Sequence, residues 1–290
     1  MIGPIVGAIL YYYLEFQYTF YLTGLIFLCL GPLLYQSIPK TIDIKDVISS
    51  ENINHSDLSM DEKERVSYFK LFMNPKFIIN SVAAFMCYFS VILSEPVFVL
   101  RVEEFGLNTT SAGLVFSLTF LALIISCILM SKLSGKLQNK TFILGGVLIA
   151  TVGQFLVGPA HLLPNKLWIL AIGQFLIGFS VAPILISSLP LLTNIACEIY
   201  PKRKIEASDV SSGAFNSMLG LGQMVGPLYG SYITTLFDFR ICTSIFGIVL
   251  LTFSLIYYLI EFKKYNFSKG KDVYTELENK SLEKYLEEVL

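Results

Sequence analysis

Long apolar runs separated by short polar breaks set the pattern of this chain. Phe16–Ile38, Phe77–Leu100, Ser111–Met130, Phe142–Ala160, Leu167–Ala196, Val210–Leu236 and Ile241–Ile260 are the runs in question. Against the ~20 residues needed to cross a bilayer, they predict seven full transmembrane helices. Ile2–Leu14 is apolar but too short to span, and reads as the end of a helix, a half-helix at the N-terminus. Between Pro39 and Pro75 the pattern changes to Asp, Glu, Lys, Ser and Asn without a sustained apolar period, which predicts a solvated, largely disordered linker. Leu167–Ala196 is the longest run and holds both Pro183 and Pro190, so it is expected to tilt, kink or run past the bilayer. The fold class is an all-α integral membrane protein.

One run organises the others. Val210–Leu236 is free of charged side chains throughout, and it carries Gly213, Gly220, Gly222, Gly226 and Gly230 with Pro227 among them. In lipid, such glycines let neighbouring helices approach closely. Gly222, Gly226 and Gly230 recur at every fourth position, a narrow ridge without side chains. The element Gly-Pro-Leu-Tyr-Gly at 226–230 echoes Gly-Pro-Ile-Val-Gly at 3–7, where Gly3, Pro4 and Gly7 stand. The echo keeps one fixed offset through Phe16 and Phe239, Gly24 and Gly247, and Leu28 and Leu251. This is an internal repeat whose first copy is nearly all missing.

Composition agrees with the runs. Of the 290 residues 54% are hydrophobic and 15% charged, where a soluble protein has about 25% charged. The net charge of −1 gives no support for nucleic-acid binding. The five cysteines show no CxxC pair or metal-ligand spacing, so they read as packing residues. With the 39–75 linker and the tail placed on one side, 18 of the 21 Lys and Arg fall on that side, leaving Arg101, Lys166 and Arg240 opposite. Positive charge gathers on the cytoplasmic side, so the linker and the C-terminus are expected to be cytoplasmic.

Two membrane units joined by a long cytoplasmic loop resemble the plan of the major facilitator superfamily, whose halves are parallel six-helix repeats. The Gly-Pro-x-x-Gly element is similar to the one its proton-coupled antiporters carry at the end of the fifth helix and, here, of the eleventh. On this resemblance, 1–38 is a remnant of the N-terminal half (the end of the fifth helix and the sixth). Residues 39–75 are the linker, 76–261 a complete C-terminal half of six helices, and 262–290 the cytoplasmic tail. The chain then lacks the first four helices and most of the fifth. Within the superfamily it is similar to the vesicular amine and polyamine branch, through Ser94-Glu95-Pro96, Glu103-Glu104-Phe105-Gly106-Leu107, Leu156-Val157-Gly158-Pro159, Leu167-Trp168, Pro190 and Tyr258-Leu259-Ile260-Glu261.

Glu95 is the acidic residue set well inside a span from Phe77 onward. An ionisable group in a bilayer costs several kcal/mol and usually faces a cavity for a purpose. It is the candidate substrate- or proton-binding carboxylate, and the branch places a functional glutamate before proline at this point. The bland alternative is a carboxylate near the outer helix end that reaches lipid headgroups or pairs with Arg101. Asn216 and Gln223 lie seven apart on one helix face and join it as candidates. Gln174, Gln154 and Asn80 read more readily as interhelical hydrogen-bonding groups. Asn216 and Leu185 stand where the monoamine members carry aspartates. The loop Ser131-Lys132-Leu133-Ser134-Gly135-Lys136, with Lys140 beyond it, resembles the superfamily's cytoplasmic latch loop, with Gly135 in place of its aspartate and Ser131 in place of a glycine.

The resemblance implies a secondary active transporter, a proton-coupled antiporter of an organic cation or similar small solute. Its partners would be the lipid bilayer, the substrate, protons as coupling ion and a missing N-terminal half. It would sit as a multi-pass protein in a vesicle, another organelle or the plasma membrane. No enzymatic constellation, cofactor motif or metal site is read from the sequence. The chain alone is expected to be inactive. The alternatives are a nonfunctional fragment, a half-transporter needing a partner chain, and a seven-helix receptor.

Overall fold

The computed structural model describes residues 17–18, 21–22, 24–26, 28–32, 66–133, 138–158 and 164–262. The Ile2–Leu14 half-helix, with Gly3, Pro4 and Gly7, lies outside the described residues, as do Gly135, Lys136 and the tail. The described residues from 17 to 32 are helical and exposed. Helices account for most of the rest: α1 (Tyr68–Phe72), α2 (Pro75–Ile92), α3 (Glu95–Glu103), α4 (Thr109–Leu133), α5 (Asn139–Val157), α6 (Leu167–Ile199), α7 (Lys204–Leu236) and α8 (Phe239–Glu261). No strand occurs among the described residues.

Local chemistry sets the starts and stops. Asn74 accepts from the Lys76 amide at 3.0 Å and Pro75 takes the first helical position, so α2 begins where an unpaired amide would otherwise be exposed. Pro96, in the second position of α3, has no N–H to give the preceding turn, and the run breaks at Leu93–Ser94. Gly106, with a φ of 75°, turns the chain after α3 in a conformation other residues resist. In α6, Pro183 and Pro190 leave 33 residues as one helix. At the α-helical rise that is about 50 Å, longer than the ~30 Å hydrocarbon layer.

Among the described residues, five stretches are long and apolar enough to cross a membrane: Pro75–Glu103, Ser111–Leu133, Asn139–Val157, Leu167–Ile199 and Phe239–Glu261. The run expected at Val210–Leu236 differs from expectation in two ways. Its helix starts earlier, at Lys204, taking in Glu206 and Asp209. It is also absent from that set, because serines, threonines, Asn216, Gln223 and five glycines dilute its apolar character. The length suits a span; the composition suits a helix that packs.

The contacts of this helix agree. A Cβ on Gly222 would lie 2.6 Å from the Phe85 carbonyl oxygen, one on Gly226 would meet the Leu93 amide at 3.4 Å, and one on Gly230 would overlap the Leu93 carbonyl oxygen. The ridge therefore lies directly against the backbone of α2, the two helices parallel in the register Phe85–Gly222 and Leu93–Gly230. Phe89, Tyr229 and Phe246 close over this seam and bring in α8, with ring centroids 4.5 Å (Phe89–Phe246) and 5.4 Å (Phe89–Tyr229) apart. Glycines also knit α5 to α6, where a Cβ on Gly153 would stand 2.8 Å from Ile177.

The described end of the stretch expected to be a disordered linker is folded. The Val66 amide donates to Glu206 at 3.2 Å and the Ser67 amide to the Tyr200 hydroxyl at 3.2 Å. Leu71 is fully buried in a core with Phe77, Leu192, Tyr200 and Ala207. Val66 and Leu71 are too few to register as an apolar period, yet they suffice to seat α1 on the α6–α7 turn.

Gly230→Ala is expected to force the helices apart and cost about 1–3 kcal/mol, the range for overpacking. Gly220→Ala, with no heavy atom within 4 Å of the new methyl, is expected to be neutral or to stabilise by up to about 1 kcal/mol through helix propensity. Thermal unfolding of both variants in detergent, against wild type, measures the difference.

Candidate functional site

Glu95 opens α3 immediately after the break. It is exposed, and among the described residues it has no hydrogen-bond or ion-pair partner. The pairing with Arg101 does not form. Arg101 is 4% exposed and donates instead to Glu104 and to Asn165, with its guanidinium 5.1 Å from the Phe105 ring centroid and 5.7 Å from that of Phe239. The arginine thus ties α3 to the segment before α6 and to the start of α8. The carboxylate at the opening of the same helix is left unpaired.

Asn216 and Gln223 are likewise exposed and without a hydrogen-bond partner among the described residues. They share a face of α7 beside the glycine ridge, as their spacing implies. They do not cluster with Glu95. The register places Glu95 level with residue 232, so at the α-helical rise Gln223 lies about 13 Å and Asn216 about 24 Å along the axis from it. The three candidates are spread along α3 and α7, with no single point where they meet.

The other intramembrane amides are buried and paired. Gln154 donates from Nε2 to the Ser90 carbonyl at 2.8 Å and to its hydroxyl at 2.9 Å. Gln174 donates to the Ser94 hydroxyl at 3.4 Å and accepts from Thr119 at 3.0 Å. Asn80 donates to Glu261 at 2.9 Å and to the Lys76 carbonyl at 2.8 Å, and accepts from the Tyr257 hydroxyl at 2.8 Å. Ser94 stands in the Ser94-Glu95-Pro96 triplet, while Ser90 and Thr119 carry no sequence signal of their own beyond the helical-turn spacing of the two serines. Glu261, only 7% exposed, closes the far end of α8. At a helix end beside a charged tail, its sequence position suggests a solvated group instead. Lys140, at the start of α5, lies with Nζ 5.5 Å from the centre of the Phe262 ring. Cys87 and Cys242 are buried among apolar groups and all five cysteines are free.

A bundle of apolar helices knitted by glycine ridges, with paired amides inside and an unpaired carboxylate at a broken helix, is the make-up of a polytopic membrane protein. Residues 1–208 match the Major Facilitator Superfamily, and the chain belongs to it. The chain is 27% identical to the human MFS-type transporter SLC18B1 over 285 residues, 94% of this chain and 58% of that protein. It is 28% identical to the rat protein of the same name over 255 residues, 85% of this chain and 51% of that protein. The chain spans about half the length of the curated relatives it matches. Membership makes it an integral multi-pass membrane protein of a transporter family, and the receptor alternative falls away.

Asn80→Leu strands the Tyr257 hydroxyl and the Glu261 carboxylate in a buried site. The expected cost is about 1–3 kcal/mol. It is read as a lower thermal midpoint in detergent, recovered when Glu261→Met and Tyr257→Phe are added to remove the stranded groups.

Proposed function

We propose that this chain contributes to secondary active transport, as the C-terminal six-helix half of a proton-coupled antiporter for an organic cation or similar small solute. Residues 76–261 make up that half on this reading, with 1–38 belonging to the other half, 39–75 the linker and 262–290 the tail. Glu95 carries the reading. A carboxylate at the break of an apolar run, exposed and unpaired while the arginine nearby is engaged elsewhere, is available to a cation or a proton. Asn216 and Gln223 extend the polar path along α7, and the neutrality of Asn216 where the monoamine members carry charge argues for a solute other than a monoamine. Pro96 adds a freed carbonyl beside the carboxylate.

On this reading the open face bearing Glu95, Asn216 and Gln223 is completed by a facing half, and substrate is carried by rocking the halves about it. The linker and C-terminus are cytoplasmic, and the membrane is that of a vesicle or the cell surface. The names of the relatives support transport as such. The glycine ridge of α7 serves the same scheme by keeping α2 and α7 sealed against each other as they move.

Two outcomes test the reading. The chain reconstituted alone in vesicles with an imposed pH gradient is expected to give no saturable uptake of polyamine or monoamine cations. Saturable, gradient-driven uptake by it would overturn the need for a facing half. Co-reconstituted with the N-terminal half of the human relative, the chain is expected to transport. There Glu95→Gln is expected to reduce uptake by at least about tenfold, the effect of ~1.4 kcal/mol of lost binding. Unchanged gradient-driven uptake in that variant removes Glu95 from the site.

A further inference from the structure

We infer that Gln154, with Gln174 beside it, is a positioning residue for Glu95: the two buried glutamines hold the last turn of α2 and so fix where the α2–α3 run breaks. The inference rests on the reading of Glu95 as the binding carboxylate. Glu95 has no partner among the described residues, so its place is inherited wholly from the backbone that carries it. That backbone is gripped from two sides.

On one side stand Ser90 and Ser94, a helical turn apart and each 1% exposed. In an unbroken helix the Ser90 carbonyl would accept the Ser94 amide, and that of Ile92 the amide of residue 96, which Pro96 does not have. The Nε2 of Gln154, from α5, donates to the Ser90 carbonyl, and to its hydroxyl as well. Gln174, from α6, reaches the Ser94 hydroxyl and is itself oriented by Thr119 of α4. In hydrocarbon a carbonyl freed from its helix needs such a donor. An acceptor at Ser90 fixes which way the Gln154 amide points, and leaves its own Oε1 buried with no hydrogen-bond partner among the described residues. The pose of Gln154 is therefore set by what it gives to α2.

On the other side, Gly226 and Gly230 press against Leu93, the residue between Ser90 and Glu95 in the break. Leu93 is fully buried and cannot shift toward α7. The glutamines stop it shifting toward α5 and α6. Helices α5 and α6 thus meet on two serines, and α7 on Leu93 between them, to place one carboxylate.

The test reads the position of Glu95 and not transport. The chain is held in lipid nanodiscs, and the rate at which a water-soluble carbodiimide couples a small amine to Glu95 is followed by peptide mass spectrometry. Gln154→Met is expected to change that rate about threefold or more, because loosening the last turn of α2 changes how the Glu95 carboxyl is presented to the reagent. Ser94→Ala is expected to move it in the same direction, and Ser94→Thr, which keeps the hydroxyl, to leave it near wild type. Thr151→Val is the control. Thr151 is buried on α5 one turn from Gln154, but bonds back to the Val147 carbonyl at 2.8 Å within its own helix. It is expected to leave the Glu95 rate unchanged. Unchanged rates in Gln154→Met and Ser94→Ala overturn the inference, as does an equal change in Thr151→Val. Should Gln154→Met not fold, Ser94→Ala decides alone. Because no uptake is measured, a failure here is separate from a failure of Glu95 in transport.

Discussion

The closeness of α7 to α2 is the constraint on which the other features depend. Helices in lipid gain nothing from hiding apolar side chains from one another, so backbone approach and dispersion must hold them. Gly222, Gly226 and Gly230 remove the side chains at the seam, and the α2 carbonyls fill the space. That contact sets the parallel register, which puts Phe89 against Tyr229 and Phe246 and draws α8 into the same core. It also sets the height of Leu93, and with it the height of the break and of Glu95. A side chain at Gly222 or Gly230 would displace all of these together.

Polar groups in the bundle fall into two populations with opposite surroundings. Asn80, Gln154, Gln174 and Arg101 are buried, each serving a neighbouring helix or segment. Glu95, Asn216 and Gln223 are open and serve none among the described residues. Burial without partners is costly, so the first population is committed to architecture. The second is left over for something from outside. Arg101 matters to this division. By committing to Glu104, Asn165 and two aromatic rings it is no longer available to neutralise Glu95.

How much of this was legible in the sequence follows from what each signal measures. Apolar length located the long described helices closely, except that the Phe77–Leu100 run divides into α2 and α3 and α7 begins well ahead of its apolar run, at Lys204. The charges of Lys204, Glu206 and Asp209 end an apolar run but do not end a helix. The regular glycine repeat foretold a tight helix contact but not which helix would receive it, since spacing within one segment carries no information about its partner. Gln154 and Gln174 were recognisable as intramembrane amides. Their targets were not, because serines are common in spans and become informative only when a glutamine from elsewhere arrives on them. The fold of Val66–Asn74 was hidden for a related reason: Val66 and Leu71 are a faint apolar signal, and the anchors of this segment, Tyr200 and Glu206, lie far along the chain.

The Asn80–Tyr257–Glu261 cluster has a topological consequence. It joins the opening turns of α2 to the closing turns of α8, so the first and last long helices of the unit are spatial neighbours. Order along the chain is linear, but its first and last long helices meet in the bundle. The backbone could be cut between α4 and α5 and resealed between Glu261 and Pro75 with a short connection, because the packing that specifies the bundle does not record where the polypeptide begins.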